Sequence, residues 1–352
     1  MKFIKLKKDK KTPILIQKSD YSNLDVIVLT YNRAEWLKIM LDSLCTQTAI
    51  GFNIKVLNNA STDNTVNVVE EMHKKYPDRN ITCITNEKNL GNFGNFCRSQ
   101  ELAENEYTAI FHDDDAIHPE YIETAMNIMN GILDELMNDN KNIIMCSGGE
   151  RGLFNVENTN WDILWKDYYI YKKDMGAYLN LLVNRPTFAC NIYKTECYKT
   201  VKYKYDRYGK LHDVVFMIEM NRRGDVAFIL GDCIRWRQSM RSDSYTFTNG
   251  PYPYEIANVI NDIYLLDTQK HYLMKPLLWN FAFFLYKWSM LKNYETWYEF
   301  KKRLDKKNGG VFTAKELKDF NDIEIIEGFN NQIKYEASKY RDKIFNKFPS
   351  RF

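Results

Sequence analysis

The sequence predicts an α/β protein in which a mostly parallel sheet is flanked by helices, followed by a helical C-terminal subdomain. From Asp25 onward, short runs of β-branched residues alternate with longer segments whose apolar residues recur at helical spacing. Such alternation favours parallel pairing, because the chain crosses between parallel strands through a helix. From about Pro251 the pattern is wholly helical, which predicts the separate C-terminal part.

Five predicted strands alternate with predicted helices in the first part of the chain. The strands are expected over residues 25–30, 54–57, 81–85, 107–111 and 142–147. The spacing of Leu37, Leu41 and Leu44 predicts the first helix, and later helices are expected over residues 61–76, 92–104 and 119–137. After an irregular aromatic stretch beyond Arg151, the pattern predicts a helix over residues 214–223 and a strand over residues 226–230.

Composition and charge exclude several classes of function. The chain has 352 residues, enough for one large domain and a smaller one, and its net charge of +3 is too near zero for a nucleic-acid binder. Its seven cysteines are scattered without a C-x-x-C pair, which is typical of a reducing compartment. The start "MKFIKLKKDKK" has no apolar core, and "PLLWNFAFFLY" is too short to span a bilayer. We therefore expect a cytoplasmic protein.

Polar residues follow the predicted strands at the points where each strand ends. Because ligands of open parallel sheets bind beyond the carboxyl ends of the strands, we expect these residues to converge on one rim. The first turn reads "TYNRAEW" and lacks G-x-G-x-x-G, so the dinucleotide fingerprint of a dehydrogenase is absent. The rim residues are Tyr31-Asn32-Arg33, Asn58-Asn59, Asn86-Glu87 and Asp113-Asp114-Asp115.

Three consecutive aspartates, Asp113 to Asp115, stand directly behind an apolar run in "AIFHDDDAIHPEY". Hard carboxylate oxygens suit Mg²⁺ or Mn²⁺, and such a cation commonly bridges one or two carboxylates to the phosphates of a substrate. The alternative is a solvated loop whose aspartates cap the following helix. The position of the aspartates on the shared rim favours the metal.

Three ordered segments carry a resemblance to a known family. They are "VIVLTYNRAEWLKIMLDSLCTQT", "VLNNASTDNT" and "NEKNLGNFGNFCRSQELAENEYTAIFHDDDAIHPEYI". Together they closely resemble family 2 glycosyltransferases, from about Leu24 to about Ser244. The resemblance implies a Rossmann-like GT-A domain over residues 23–250, after a basic extension over residues 1–22 and before the helical region 251–352. It also implies an inverting enzyme that uses a nucleotide-diphosphate sugar and a divalent cation, Mn²⁺ or Mg²⁺.

The resemblance implies roles for individual residues around the nucleotide. Thr30, Tyr31 and Arg33 correspond to the loop that cradles the nucleoside. Where relatives read "DDGS" or "DNxS", this chain has Asn58-Asn59, whose amides can still pair with a pyrimidine edge. Donor contacts are therefore expected from Thr30, Tyr31, Arg33, Asn59, Asn89, Asp113, Asp114 and Arg237, and metal ligation from Asp114 and Asp115.

Asp213 in "LHDVVF" matches the family's general base, the carboxylate that removes the proton from the acceptor hydroxyl. The alternative is that Asp213 is simply the N-cap of its helix. "RWRQS" resembles a later segment that often reads "YRxH", so Arg237 would meet the diphosphate while Ser239 replaces a histidine that can bind the metal. His112 and His118 flank the aspartates, and we expect them to be rim or packing residues.

The function implied is transfer of a sugar, with a UDP-sugar as the expected donor, to a hydroxyl of a glycan or lipid-linked glycan. Bacterial surface polysaccharide synthesis is the expected pathway by family analogy. A catalytically silent nucleotide-sugar or glycan binder is the alternative, because of the Asn58-Asn59 pair and the replaced histidine. A sugar-phosphate nucleotidyltransferase would need a Gly-rich basic loop after the first strand, and "TYNRAEW" is not one.

The end of the chain combines an apolar helical face with basic residues. Residues 331–352 carry six basic and two acidic side chains, and Ile333, Ala337 and Ile344 share one face of the predicted last helix. Such a helix could lie on the anionic inner face of a membrane and bring the site to a lipid-linked acceptor. The alternative is that this face packs on the catalytic domain.

Overall fold

A computed structural model shows an α/β protein built on a ten-stranded sheet. The expected helical region 251–352, including its basic last helix, lies outside the described residues, as do Ser239 and most of the N-terminal extension. The structure describes residues 2–4, 20–131, 142–153, 156–157, 160–161, 164, 168–174 and 188–237.

Ten strands and seven helices are described, and the strands and helices predicted before residue 151 are among them. The strands are β1 (Lys2–Ile4), β2 (Leu24–Thr30), β3 (Asn53–Asn58), β4 (Asn80–Thr85), β5 (Tyr107–His112), β6 (Ala116–Ile117), β7 (Ile143–Leu153), β8 (Tyr168–Tyr171), β9 (Asn191–Lys194) and β10 (Asp225–Arg237). The helices are α1 (Ala34–Cys45), α2 (Thr65–Lys75), α3 (Gly91–Leu102), α4 (Tyr121–Met129), α5 (Thr195–Thr200), α6 (Tyr205–Tyr208) and α7 (His212–Asn221), and a 3-10 turn spans Gly209–Leu211.

Four parallel strands in the order β5-β2-β3-β4 form the predicted part of the sheet. Their ends are in register, because Thr30 of β2 pairs with Asn58 of β3, which pairs with Thr85 of β4. On the other side, Leu29 of β2 pairs with His112 at the end of β5. The polar residues that follow these strands therefore meet at one rim, which confirms the expectation from the sequence.

The other half of the sheet was predicted only in part. Strand β9 lies between β5 and β7 and is antiparallel to both, so the order continues β1-β8-β10-β7-β9-β5. Strands β1, β6, β8 and β9 were not predicted, and β6 pairs with β10 outside this order. Strands this short contain too few residues to show a periodic apolar pattern. They form because neighbouring strands pair with them.

Strands β7 and β10 run past the expected residues 147 and 230 because they pair with each other over their whole length. The pairing shifts register after Ile229, and the backbones come close together there. A Cβ atom on Gly149 would lie 2.4 Å from the carbonyl oxygen of Gly231. Only glycine fits such an approach. The extension of β10 brings Arg237 to the rim.

The core lies on both faces of the parallel strands. Every residue of β2 is buried, which requires cover on both sides of the sheet. Helix α1 buries Leu37, Met40 and Leu41 and packs against α2. No helix among the described residues combines the length and apolar character needed to cross a membrane.

The chain divides into two compact units. The sheet belongs to the first unit, and the second includes Lys204–Ile218. Helix α7 begins at His212, two residues earlier than expected, because the 3-10 turn Gly209–Leu211 leads directly into it. Asp213 therefore lies in the first turn of the helix, and the interpretation of Asp213 as the N-cap is wrong.

Candidate active site

The loop after β2 is held to the loop after β3 by side-chain hydrogen bonds. Asn32 adopts the left-handed conformation (φ 52°), which asparagine tolerates better than most residues. Its backbone N–H donates to Ser61 Oγ (2.9 Å), and its side-chain oxygen accepts from the Thr62 N–H (2.7 Å). Asp63 accepts from the Ala34 N–H (2.9 Å) at the start of α1. The predicted rim loops thus form one connected structure.

The aspartate turn after β5 lies against Arg33. All three aspartates are buried, and one guanidinium nitrogen of Arg33, Nη1, lies 3.2 Å from both Asp113 Oδ1 and Asp114 Oδ2. The Tyr31 N–H donates to Asp113 Oδ2 (3.4 Å). Burial and the charge of Asp114 raise the pKa of Asp113 to about 6, although Arg33 opposes the shift. One guanidinium therefore does not fully compensate the clustered carboxylates.

The end of β10 closes the other side of the aspartate turn. The backbone N–H of Arg237 donates to Asp115 Oδ1 (3.2 Å), and its Nε donates to the carbonyl oxygen of Asp114 (3.3 Å). The Arg237 side chain is buried, and its Nη1 lies 3.8 Å from Glu157 Oε1. Arg237, which the sequence predicts to contact the nucleotide sugar, thus lies next to the predicted metal ligands although it comes from the end of a distant strand.

The aspartate turn contains a group of side chains suited to a metal ion. One ligand atom each from His112, Asp114 and Asp115 lies within 4.8 Å of the others. Two carboxylates suit Mg²⁺ or Mn²⁺, and the imidazole adds a nitrogen ligand. The residues present therefore fit the cation that the family resemblance implies. The sequence analysis expected His112 to be a rim or packing residue, although its place directly before the aspartates was the available signal for a position beside the metal ligands.

The two histidines beside the aspartates have different surroundings. The ring of His112 packs 5.5 Å from Phe96 and 6.4 Å from Phe188, measured between ring centroids. His118 accepts a hydrogen bond from the Glu120 N–H at Nδ1 (3.1 Å) and packs 5.2 Å from Trp161. The packing role expected for His118 is confirmed, whereas His112 combines packing with a position in the metal-binding group.

Asn59 and Asn89 belong to a network of amides at the rim. The Asn59 side-chain N–H groups donate to Asn89 Oδ1 (2.8 Å) and to the carbonyl oxygen of Gly91 (3.2 Å). Its oxygen accepts from Asn86 Nδ2 (3.0 Å) and from the Leu90 N–H (2.9 Å). Four hydrogen bonds use the full capacity of a primary amide. Asn59 therefore holds the loop after β4 in place, a role that a carboxylate, having no N–H, could not fill.

An indole side chain that the sequence analysis did not select lies beside both arginines of the rim. The Cζ atom of Arg33 is 5.3 Å from the ring centroid of Trp36, and that of Arg237 is 5.0 Å from it. Both distances lie within the range of cation–π attraction. The sequence around Trp36 does not indicate this position, because one of the two arginines that it contacts, Arg237, is far away along the chain.

The predicted base lies in the second unit. Asp213 Oδ1 accepts a hydrogen bond from the Val214 N–H (2.7 Å), and the side chain is half-buried. The neighbouring His212 forms a hydrogen bond between Nδ1 and the carbonyl oxygen of Gly209 (2.9 Å) and packs 5.6 Å from the Tyr205 ring. His212 thus stabilises the turn that leads into α7.

Comparison with known sequences decides the family. Residues 25–201, half of the chain, match the sequence model of Glycosyl transferase family 2. The chain belongs to this family. The matched region of this glycosyltransferase includes the loop after β2, the amide network and the aspartate turn, whereas Arg237 and Asp213 lie beyond it.

Individual relatives of the glycosyltransferase match over shorter regions. The abequosyltransferase RfbV of Salmonella typhimurium is 29% identical over 158 residues, which is 43% of this chain and 45% of RfbV. An uncharacterized glycosyltransferase of Escherichia coli, YibD, is 30% identical over 107 residues, 30% of each chain. The chain thus spans less than half the length of these relatives.

Solved structures show the fold. The crystal structure of S. aureus TarS 1-349 in complex with UDP-GlcNAc matches with a TM-score of 0.59 and 16% identity, and it covers 91% of this chain and 92% of that one. A second structure of the same protein, in complex with UDP, matches with a TM-score of 0.53 and 15% identity, covering 91% and 88%. The glycosyltransferase therefore has the predicted GT-A fold.

Proposed function

We propose that this glycosyltransferase moves a sugar from a UDP-sugar to a hydroxyl of a glycan or lipid-linked glycan, with inversion, in bacterial surface polysaccharide synthesis. The observation that carries the proposal is the buried aspartate turn held between Arg33 and Arg237. The structural neighbour with the same fold binds UDP-GlcNAc, which supports a UDP-sugar donor. A relative named for abequosyl transfer supports the transfer of a sugar.

The rim has the charges that a nucleotide diphosphate needs. A diphosphate brings negative charge to a place where three carboxylates already repel one another. Arg33 and Arg237 each supply a permanent positive charge there, because a guanidinium stays protonated in proteins. Asp114 and Asp115, with His112 beside them, would hold a divalent cation, which stabilises the negative charge of the departing diphosphate when it is bound.

Asp213 is the proposed general base. As the acceptor hydroxyl attacks, its oxygen bonds to the anomeric carbon, the bond to the nucleotide oxygen breaks, and UDP leaves with that electron pair. Attack opposite the leaving nucleotide inverts the anomeric carbon, and the hydroxyl proton passes to the Asp213 carboxylate. The hydrogen bond from Val214 to Oδ1 fixes this carboxylate, which retains acceptor capacity for a hydroxyl.

Asp213→Asn tests the catalytic role. An amide keeps the size and the hydrogen bond of Asp213 but cannot take the proton, so transfer should fall by roughly two to four orders of magnitude. The affinity for the nucleotide sugar should stay within about twofold, because the loss is felt in the transition state. Transfer rates from a panel of nucleotide sugars, with the dissociation constant of the preferred donor, measure both quantities.

The exposed Asp206 of the same unit offers a matched control. Asp206→Asn should leave transfer unchanged, and a large loss there with near-normal turnover of Asp213→Asn would move the base to Asp206. Asp225 is a weaker candidate, because its oxygens accept from Lys172 Nζ (2.8 Å) and the Lys173 N–H (2.8 Å). Donor binding without transfer to any acceptor or to water would identify the silent binder instead.

The amide network bears on one reason for the silent binder. The sequence departs from the family pattern at Asn58-Asn59, which raised the question of whether the donor site had decayed. In the structure the Asn59 amide makes four hydrogen bonds that hold the loop after β4. The departure is therefore compatible with an organised rim and an active enzyme.

Contact with a membrane through the basic last helix is part of the proposal. Residues 331–352 lie outside the described residues, so this part rests on the sequence pattern. Flotation of the chain with anionic vesicles, with and without residues 331–352, tests it. Equal flotation of both forms would contradict a role for the helix at the inner face of the membrane.

A further inference from the structure

Among the described residues of the candidate donor site, Trp36 is the one whose ring lies beside two arginines. Its ring lies 5.3 Å from the Arg33 guanidinium carbon and 5.0 Å from that of Arg237. These arginines come from separate elements, one from the loop after β2 and the other from the end of β10. Each also contacts the aspartate turn, Arg33 through two carboxylates and Arg237 through Asp115 and the Asp114 carbonyl.

The backbone of Trp36 makes the ring a rigid support. Trp36 stands in the first turn of α1, and its N–H donates to the Arg33 carbonyl oxygen (3.0 Å). One turn further, Leu37, Met40 and Leu41 anchor the helix in the core. The ring is therefore attached to a fixed element, whereas the arginine side chains have long flexible stems that lose much freedom when ordered.

Two guanidiniums beside one ring repel each other, and this repulsion is offset both by the carboxylates that Arg33 and Arg237 contact and by attraction to the ring. The negative face of an indole attracts a cation more strongly than the ring of phenylalanine does, and an aliphatic side chain of similar bulk lacks this attraction. A residue that served only to fill space would be replaceable by leucine. The contacts of Trp36 with two cations instead favour an electrostatic role.

We propose that Trp36 is a positioning residue that holds Arg33 and Arg237 in place for the diphosphate of the donor. This inference rests on the proposed function, because it assigns the two guanidiniums to the phosphates of a nucleotide. Trp36 itself takes no part in bond making or proton transfer. Its effect should appear in donor affinity and in the KM for the donor, and much less in kcat.

Substitution of Trp36 distinguishes an electrostatic role of the ring from simple space filling. In Trp36→Leu the dissociation constant of UDP, measured in the presence of Mn²⁺, should rise by roughly tenfold, the scale expected from losing two partly buried cation–π contacts. The KM for the donor should rise in parallel, while kcat stays within about threefold. Trp36→Phe should recover part of the affinity, because its ring retains a weaker attraction for cations.

A matched control removes another indole from another arginine of the same strand. The ring of Trp161 lies 3.9 Å from the guanidinium carbon of Arg235, whose Nη2 donates to the Asn160 carbonyl oxygen (2.7 Å). Trp161→Leu should leave UDP affinity within about twofold. Thermal unfolding of every variant shows whether the fold is intact.

The outcomes distinguish this inference from the proposed function. If the unmutated chain binds no UDP, both are overturned. If it binds UDP and Trp36→Leu binds equally well, the role of Trp36 alone is overturned. An equal loss in Trp36→Leu and Trp161→Leu would also overturn it, since any large ring near the rim would then suffice. Should Trp36→Leu fail to fold, Trp36→Phe decides, because unchanged UDP affinity in that folded variant contradicts the proposal.

Discussion

Asp113 illustrates how clustered carboxylates at a candidate ligand site lower the stability of the folded protein. The side chain is buried, lies next to Asp114 in the chain, and shares Arg33 with it. Its raised pKa means that ionised Asp113 is less favourable in the folded state than in the unfolded chain. A cation that brings positive charge to the turn should relieve this, which links stability to cation binding.

Asp113 should make stability depend on pH in a recognisable window. Its pKa rises from 3.8 to about 6 on folding, so the folded state holds the proton more tightly. Protonated Asp113 favours folding below about pH 4, and this contribution is lost as the pH rises to about 6. The loss is about 3 kcal/mol, since each pKa unit corresponds to about 1.4 kcal/mol. Urea unfolding in EDTA at several pH values, compared with Asp113→Asn, measures it, and parallel curves for the two proteins would contradict the prediction.

Asn59→Asp should destabilise the protein. A carboxylate cannot donate to Asn89 Oδ1 or to the Gly91 carbonyl oxygen, and it would bring negative charge against both. The free energy of unfolding should fall by about 1–3 kcal/mol, the usual penalty for unsatisfied buried polar groups. Urea unfolding at neutral pH measures this. Asn67→Asp, on the exposed face of α2, is the control, and equal effects of the two substitutions would show that the network is dispensable.

At the scale of single residues, the sequence predicted which side chains lie at the strand ends, but it did not predict contacts between residues far apart in the chain. The rim positions of Arg33 and Asp113 were predictable, because an apolar run followed by polar residues marks the end of a buried strand. The saturation of the Asn59 amide and the contacts of Trp36 depend on partners in other elements. Nothing local in the sequence specifies them.

Among the elements, helices α1 and α2 share an N-terminal anchor. Asp63 accepts from the Ala34 N–H (2.9 Å) at the start of α1, and its other oxygen accepts from the Thr65 N–H (3.1 Å) at the start of α2. The first N–H groups of a helix have no partner inside the helix. One carboxylate thus satisfies two helix ends and orders the loop that binds Asn32.

Asp63→Ala should lower the free energy of unfolding by about 1–2 kcal/mol, the typical effect of losing a cap. Burial alone would raise the pKa of Asp63, but hydrogen bonds from Thr65 and from the Ala34 N–H lower it. A lowered pKa adds stability above pH 3.8 that is lost as the pH falls further, so the variant should differ less from the wild type in acid. Chemical unfolding at pH 7 and pH 3 tests this, with the exposed Asp78→Ala as control.

The elements of the parallel half were predictable, whereas β6, β8 and β9 were not. Long amphipathic helices and β-branched runs carry their own periodicity, as in α1 and β2. Strand β9 has four residues, and its antiparallel place depends on the exposed edges of β5 and β7. The early start of α7 follows from the 3-10 turn before it, which has no sequence signal of its own.

For the molecule as a whole, cation and nucleotide should stabilise the fold together. If Asp114 and Asp115 hold the cation, UDP with Mn²⁺ should raise the unfolding temperature by several degrees at saturating ligand. EDTA should abolish most of this shift, since the carboxylates would then repel the diphosphate. Asp115→Asn keeps an acceptor for the Arg237 N–H and should reproduce the effect of EDTA. Equal shifts with and without the cation would remove the metal from the proposed function.

The antiparallel insertion of β9 has a consequence for how the protein is made. Strand β9 fills the gap between β5 and β7, yet it follows β5 by about eighty residues in the chain. Until residues 191–194 leave the ribosome, β5 has one open edge, and both neighbours of β7 in the sheet are still missing. Open edges of buried strands readily pair with other chains. A ribosome that pauses before residue 191 would therefore hold a nascent chain prone to aggregation, and translation past residue 194 would protect β5.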